Sequence, residues 1–134
     1  VEGDMVALAT QRMTAQDKTE LQRLLDVARK CVARGVEAVP DFLTADKNLH
    51  LFFARKTRNP IYISILKTIH ENIRRYYEEY LVMEEPVMRE NMQDLENLAA
   101  AAIDGDSHKA GDIARNHILR FSGYMEMRDR QKEN

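Results

Sequence analysis

The chain has 134 residues, 44% of them hydrophobic, with 20 basic against 22 acidic side chains and a net charge of -2. That suffices for one domain around a single core, and the absence of any Lys/Arg block argues against a surface that grips nucleic acid directly. Apolar runs such as Leu98 to Ile103 are far too short to span a membrane, the acidic opening Val1-Glu2-Gly3-Asp4 has no secretory pattern, and the single Cys31 permits no internal disulfide. A cytoplasmic protein is expected, and an opening other than methionine fits a piece of a longer polypeptide.

Period-two alternation is absent and apolar residues recur every three or four positions, so the expected fold is all-α, an antiparallel bundle of about six helices in one domain spanning 1-134. A short helix covers about Glu2 to Met13. Thr14 with Asp17 three residues on reads as a capping box that opens the second helix, whose stripe is Leu21, Leu24, Leu25, Ala28, Cys31 and Val32 and which stops at Gly35. Pro40 suits the first turn of a third helix carrying Phe42, Ala45, Leu49, Phe52 and Phe53, broken by Asn59-Pro60. The fourth runs from Pro60 with a long stripe through Tyr62, Leu66, Ile69, Ile73, Tyr76, Tyr77 and Tyr80, and that length makes it the expected central helix. Pro86 starts a fifth with Met88, Met92, Leu95, Ala99 and Ile103 on one face, and Asp104-Gly105-Asp106 turns the chain. The sixth begins near Ser107 with Ala110, Ile113, Ala114, His117, Ile118, Phe121 and Tyr124 inward, and its polar end from Arg128 is expected to fray.

Polar residues on these apolar stripes carry the chemistry. Asp46 and His50 stand four apart on the third helix and so project from one face, beside Leu49 and Phe53. A carboxylate there is costly unless paired. With His117, itself flanked by Ile113, Ala114, Ile118 and Phe121, the pair forms half of a site for Zn, Ni or Mn, or else an Asp–His hydrogen bond that satisfies the core without metal. His70 lies next to the Ile69 stripe and borders any cavity between the helices, whereas His108, in the first turn of the last helix, is expected in solvent. Arg74, followed closely by Tyr76 and Tyr77, is a candidate fork for a small carboxylate, the alternative being a helix-surface pair with Glu78. Seven methionines and inward tyrosines suit an adaptable, ligand-holding interior or simply a core. Signatures of nucleophilic, phosphate-loop, metalloprotease or dinucleotide chemistry are missing, so no enzyme is expected.

The order Asp46-x-x-Leu49-His50-x-x-Phe53-Ala54, Asn59-Pro60, Ala102-Ile103-Asp104-Gly105-Asp106 and then Ala110, Ala114 and His117 resembles the FadR-type C-terminal (FCD) domain of GntR-family bacterial transcription regulators. The opening through Leu25 resembles the start of that domain, so the likeness covers essentially the whole chain. It implies a helical, usually dimeric bundle whose cavity binds a small organic acid or related metabolite, in many members over a divalent metal held by one Asp and three His. Carried over by position, the metal ligands are Asp46, His50 and His117, while the third histidine falls at Leu95. Three ligands leave an open site, and the adjacent Asp94 or Glu96 would need a helix rotation to substitute.

These readings define a ligand-sensing domain of a regulator. Asp46, His50 and His117 form a floor for Zn or Ni, and Arg74, His70 and Tyr77 hold a carboxylate effector. Partners would be a second copy of the chain and, only through a winged helix-turn-helix domain absent from this sequence, operator DNA. The competing accounts are a metal-dependent helical-bundle enzyme and a helical dimerisation module that senses nothing.

Overall fold

The computed structural model describes residues 2–79 and 83–133, the side chains of 79, 121, 122 and 124–133 excepted. Six helices make up the bundle, and no strand occurs among the described residues: α1 (Glu2–Arg12), α2 (Ala15–Arg34), α3 (Val39–Lys56), α4 (Pro60–Glu79), α5 (Glu85–Ile103) and α6 (Ser107–Glu133), with a 3-10 turn over Val36–Ala38. The expected inward positions of Tyr80, Phe121 and Tyr124 lie outside what is described, and α6 continues as helix to Glu133 rather than fraying from Arg128 as expected.

The helix ends follow local chemistry. Thr14 and Asp17 exchange hydrogen bonds, Thr14 N to Asp17 Oδ2 at 2.9 Å and Asp17 N to Thr14 Oγ1 at 3.2 Å, which satisfies two of the orphan donors at the start of α2. Gly35 ends α2 at φ 87° and Gly105 turns α5 into α6 at φ 76°, a region that costs other residues strain. Asn59 Oδ1 accepts from Ile61 N at 3.0 Å and Asp106 Oδ1 from Lys109 N at 3.1 Å, so both motif turns cap the helices that follow.

Helix α3 is the centre of the bundle. It packs against α1, α2 and α4, and buries Phe42, Leu43, Leu49, Leu51, Phe52 and Phe53 around nearly its whole circumference. This corrects the expectation for α4: its long stripe is amphipathic rather than enclosed, it rests chiefly on α3, and Ile61 and Ile65 on it remain exposed. Helices α1 and α6 approach each other closely. A Cβ at Gly111 would lie 2.7 Å from the Gly3 carbonyl oxygen, and one at Gly3 would lie 3.0 Å from that of Gly111, so the two backbones touch where neither residue has a side chain. That contact sets α1 deep enough to bury Glu2.

Candidate metal centre

Four helices send buried polar side chains to one point, and α5 backs one of them with Asp94. Asp46 and His50, one turn apart on α3, are 7% and 0% exposed, and His117 from α6, His70 from α4 and Glu2 from α1 are likewise buried. Around Asp46, its Oδ1 stands 3.2 Å from His50 Nε2 and 3.6 Å from His117 Nε2, and its Oδ2 stands 3.8 Å from His70 Nδ1. The His50 ring is stacked on that of His117 at 5.3 Å and tilted against that of His70 at 4.7 Å. The three distant segments singled out by sequence therefore do converge.

Each of two imidazoles is held from behind by a carboxylate. His117 Nδ1 donates to Asp94 Oδ2 at 2.9 Å, and Asp94 is held in turn by Arg120; His50 Nδ1 is in close ion-pair contact with Glu2 Oε1. Carboxylates in these positions fix the ring and leave Nε2 free to face inward, the arrangement common behind metal-bound histidines. Asp94 stands behind His117 on the α5 face that meets α6, while Leu95 is buried in the hydrocarbon core at 0% exposure.

The electrostatics are those of a crowded ionic cluster. Burial opposes charge on Asp46, yet His50 and His117 hold its carboxyl well below the usual range. Burial likewise opposes charge on His50, but Glu2 and Asp46 keep it well above the usual histidine range; His117, under the same burial but beside Asp46 and Asp94, is pushed up to about 9. His70 goes the other way, to about 4, through burial reinforced by the neighbouring His50, and so stays a neutral imidazole at ordinary pH.

The residues present fit a divalent cation. Glu2 Oε1 and Oε2, Asp46 Oδ1, both ring nitrogens of His50 and His70 Nε2 are buried without an aligned hydrogen-bond partner. Asp46 meets His50 and His117 as buried ion pairs and Asp94 accepts from His117, so the cluster balances its own charge as well as presenting ligand atoms. Two overlapping groups, Asp46/His50/His117 and Glu2/His50/His70, each bring three ligand atoms within 4.8 Å of one another. Imidazole nitrogen with carboxylate oxygen is the donor chemistry of Zn, Ni or Mn sites.

Beside this floor lies a small cavity bordered by Phe42, Asp46, His70, Tyr77, Met83 and His117, with about 20 Å³ of free space, room for about one water. Arg74 is not on its wall; its Nη2 donates to the Pro40 carbonyl at 3.3 Å and its Nε pairs with Glu78 at 3.3 Å. A larger concavity of about 730 Å³ is an open surface groove edged by Arg12, Arg55, Lys56 and Arg58, part of it taken up by the Lys56–Asp17 ion pair. His108 is in solvent, paired with Asp112. Sequence reasoning missed Glu2, which reads as an ordinary acidic first-turn residue, and named Asp94 only as a substitute ligand rather than as the group behind His117.

The described residues form an all-helical bundle closed around a histidine and carboxylate cluster, with a small cavity beside it. The FCD domain family matches residues 1–120, and the chain belongs to that family, the C-terminal domain of GntR-family regulators that its motifs resemble. The fold is similar to a solved structure of E. coli McbR/YncC, with a TM-score of 0.75 at 20% identity over 97% of this chain and 63% of that one. The chain thus spans less than two thirds of that neighbour's length. No curated protein matches it. None of the described helices is long and apolar enough to cross a membrane.

Proposed function

We propose that this chain is the effector-sensing and dimerisation part of a transcription regulator, with Asp46, His50 and His117 holding a divalent metal, Zn or Ni, at the floor of its cavity. The observation that carries the reading is the convergence of buried, unsatisfied ligand atoms from α1, α3 and α4 on one point beside that cavity. A bound ion would supply a Lewis-acidic position for one oxygen of a small carboxylate. The chain's own residues do the rest: Glu2 and Asp94 orient the His50 and His117 rings, Phe42 and Met83 exclude water, and His70 and Tyr77 line the way in.

With room for about one water as it stands, the cavity admits an organic acid only by displacement of its wall, and Met83 and Tyr77 are the side chains that can yield. Arg74, on the turn between His70 and Tyr77, would reach a carboxylate by giving up the Pro40 carbonyl. Such movement of α4 against α3 is how occupancy would be transmitted to a dimer and to DNA-reading domains carried elsewhere in the full protein; differential affinity for two arrangements is all that is required. The test is a thermal-shift screen of small organic acids against the metal-loaded chain. At least one should raise the melting temperature in the wild type and not in His117→Ala; no response to any acid, with metal bound, contradicts sensing. The small cavity itself favours a second reading, a purely structural metal in a dimerisation module, and that result would select it.

A further inference from the structure

Leu95 removes one histidine from the ligand set that the family resemblance implies, and the structure puts a different histidine beside Asp46 and His50. His70 is 4% exposed, its Nε2 is buried with no hydrogen-bond partner, and its Nδ1 faces Asp46 Oδ2 at 3.8 Å. Its ring lies 4.7 Å from that of His50, and with His50 and Glu2 it forms one group of ligand atoms within 4.8 Å, overlapping through His50 with the Asp46/His50/His117 group. A histidine on an amphipathic helix has a ready alternative in solvent, as His108 shows at 91% side-chain exposure, so a buried and unpartnered one needs a reason. As χ2 of histidine is a soft torsion, either ring nitrogen can turn toward Asp46.

We infer that His70, from α4, is the fourth ligand of the metal centre, completing an Asp46/His50/His117/His70 set in place of a ligand at position 95. The inference rests on the metal reading above and adds a structural consequence. Helix α4, which otherwise leans chiefly on α3, is fastened to the floor through the same face that lines the cavity with Ile73 and Tyr77. Ligation would thus come from the wall that must move when an effector enters.

The experiment uses Co²⁺ as a spectroscopic probe in the full chain stripped of metal, comparing wild type with His70→Ala, His70→Cys and the solvent-exposed control His108→Ala. Wild type and His108→Ala should bind one Co²⁺ with the intense visible bands of a four-coordinate site. His70→Ala should bind at least 10-fold more weakly, with the weaker bands of a site that has taken up water. His70→Cys should gain a thiolate-to-cobalt charge-transfer band in the near ultraviolet that wild type, with Cys31 intact, lacks. Failure of wild type to bind any Co²⁺ or Zn²⁺ overturns the metal reading and this inference together. Binding by wild type with unchanged affinity and spectrum in His70→Ala, or the absence of a charge-transfer band in a folded His70→Cys, overturns the role of His70 alone. Should His70→Ala fail to fold, His70→Cys decides.

Discussion

Asp46 stands among three imidazoles, and the order of those neighbours assigns the work at the residue scale. His50 and His117 are each backed by a carboxylate, Glu2 and Asp94, so their rings cannot turn freely. Removing such a backing group in metal sites weakens metal binding about 10–100-fold. Glu2→Gln and Asp94→Asn should each therefore lower Zn²⁺ affinity by about that factor in a competition titration against a chromophoric chelator, although neither side chain need touch the ion. Unchanged affinity in both would mean that the carboxylates merely balance charge. Much of this cluster was legible in sequence: Asp46 and His50 by their four-residue spacing and His117 by its apolar flanks. Glu2 was not, because an acidic residue in a first helical turn has a sufficient explanation in the helix dipole. Asp94 was legible only as a substitute for Leu95, since spacing shows which residue occupies a position but not which way its helix face is turned.

Helix caps and one backbone contact govern behaviour at the scale of elements. Lys56 holds the Asp17 carboxyl below its ordinary range, as does the backbone of Thr14 with which it forms the capping box. A carboxyl with a depressed folded-state value contributes stability that is present above its unfolded value, about 3.9, and lost as the pH falls through the folded value. Asp17→Asn should thus cost stability at neutral pH, about 1 kcal/mol or less for a cap, and the gap from wild type should narrow below pH 4 in urea melts. A gap independent of pH would show that charge plays no part. The Gly111–Gly3 contact makes a stronger prediction. A methyl 2.7 Å from a backbone oxygen has no flexible neighbour to displace, so Gly111→Ala should push α1 away from α6, cost about 1–3 kcal/mol and weaken metal binding by withdrawing Glu2. Wild-type affinity in a folded Gly111→Ala would separate α1 from the site. The helix boundaries were readable because Thr14, Gly35, Pro40, Asn59, Pro86 and Gly105 act through local chemistry. That α3 rather than α4 lies at the centre was not, because a long stripe measures how amphipathic a helix is and not how many neighbours it has.

Across the whole molecule, the bundle is held by a core in which α3 is wrapped by apolar side chains, around a polar centre of buried ion pairs several of whose atoms lack aligned hydrogen bonds. The class of fold followed from period and composition. The convergence of α1, α3, α4 and α6 on one point is a tertiary fact that residue spacing could suggest only for three of its members. If a cation completes that centre, folding and metal binding are linked, and an ion present at about 1,000 times its dissociation constant stabilises by about 4 kcal/mol. For a domain of this size, chelation should lower the melting temperature by on the order of 10 °C, and re-addition of Zn²⁺ should restore it. The most direct measurement is elemental analysis of the chain purified without chelator and without added metal, alongside Asp46→Ala. The account predicts close to one divalent transition metal per wild-type chain and little in the variant; a wild-type chain free of metal, whose melting is indifferent to Zn²⁺, Ni²⁺, Mn²⁺ and chelator, would contradict it.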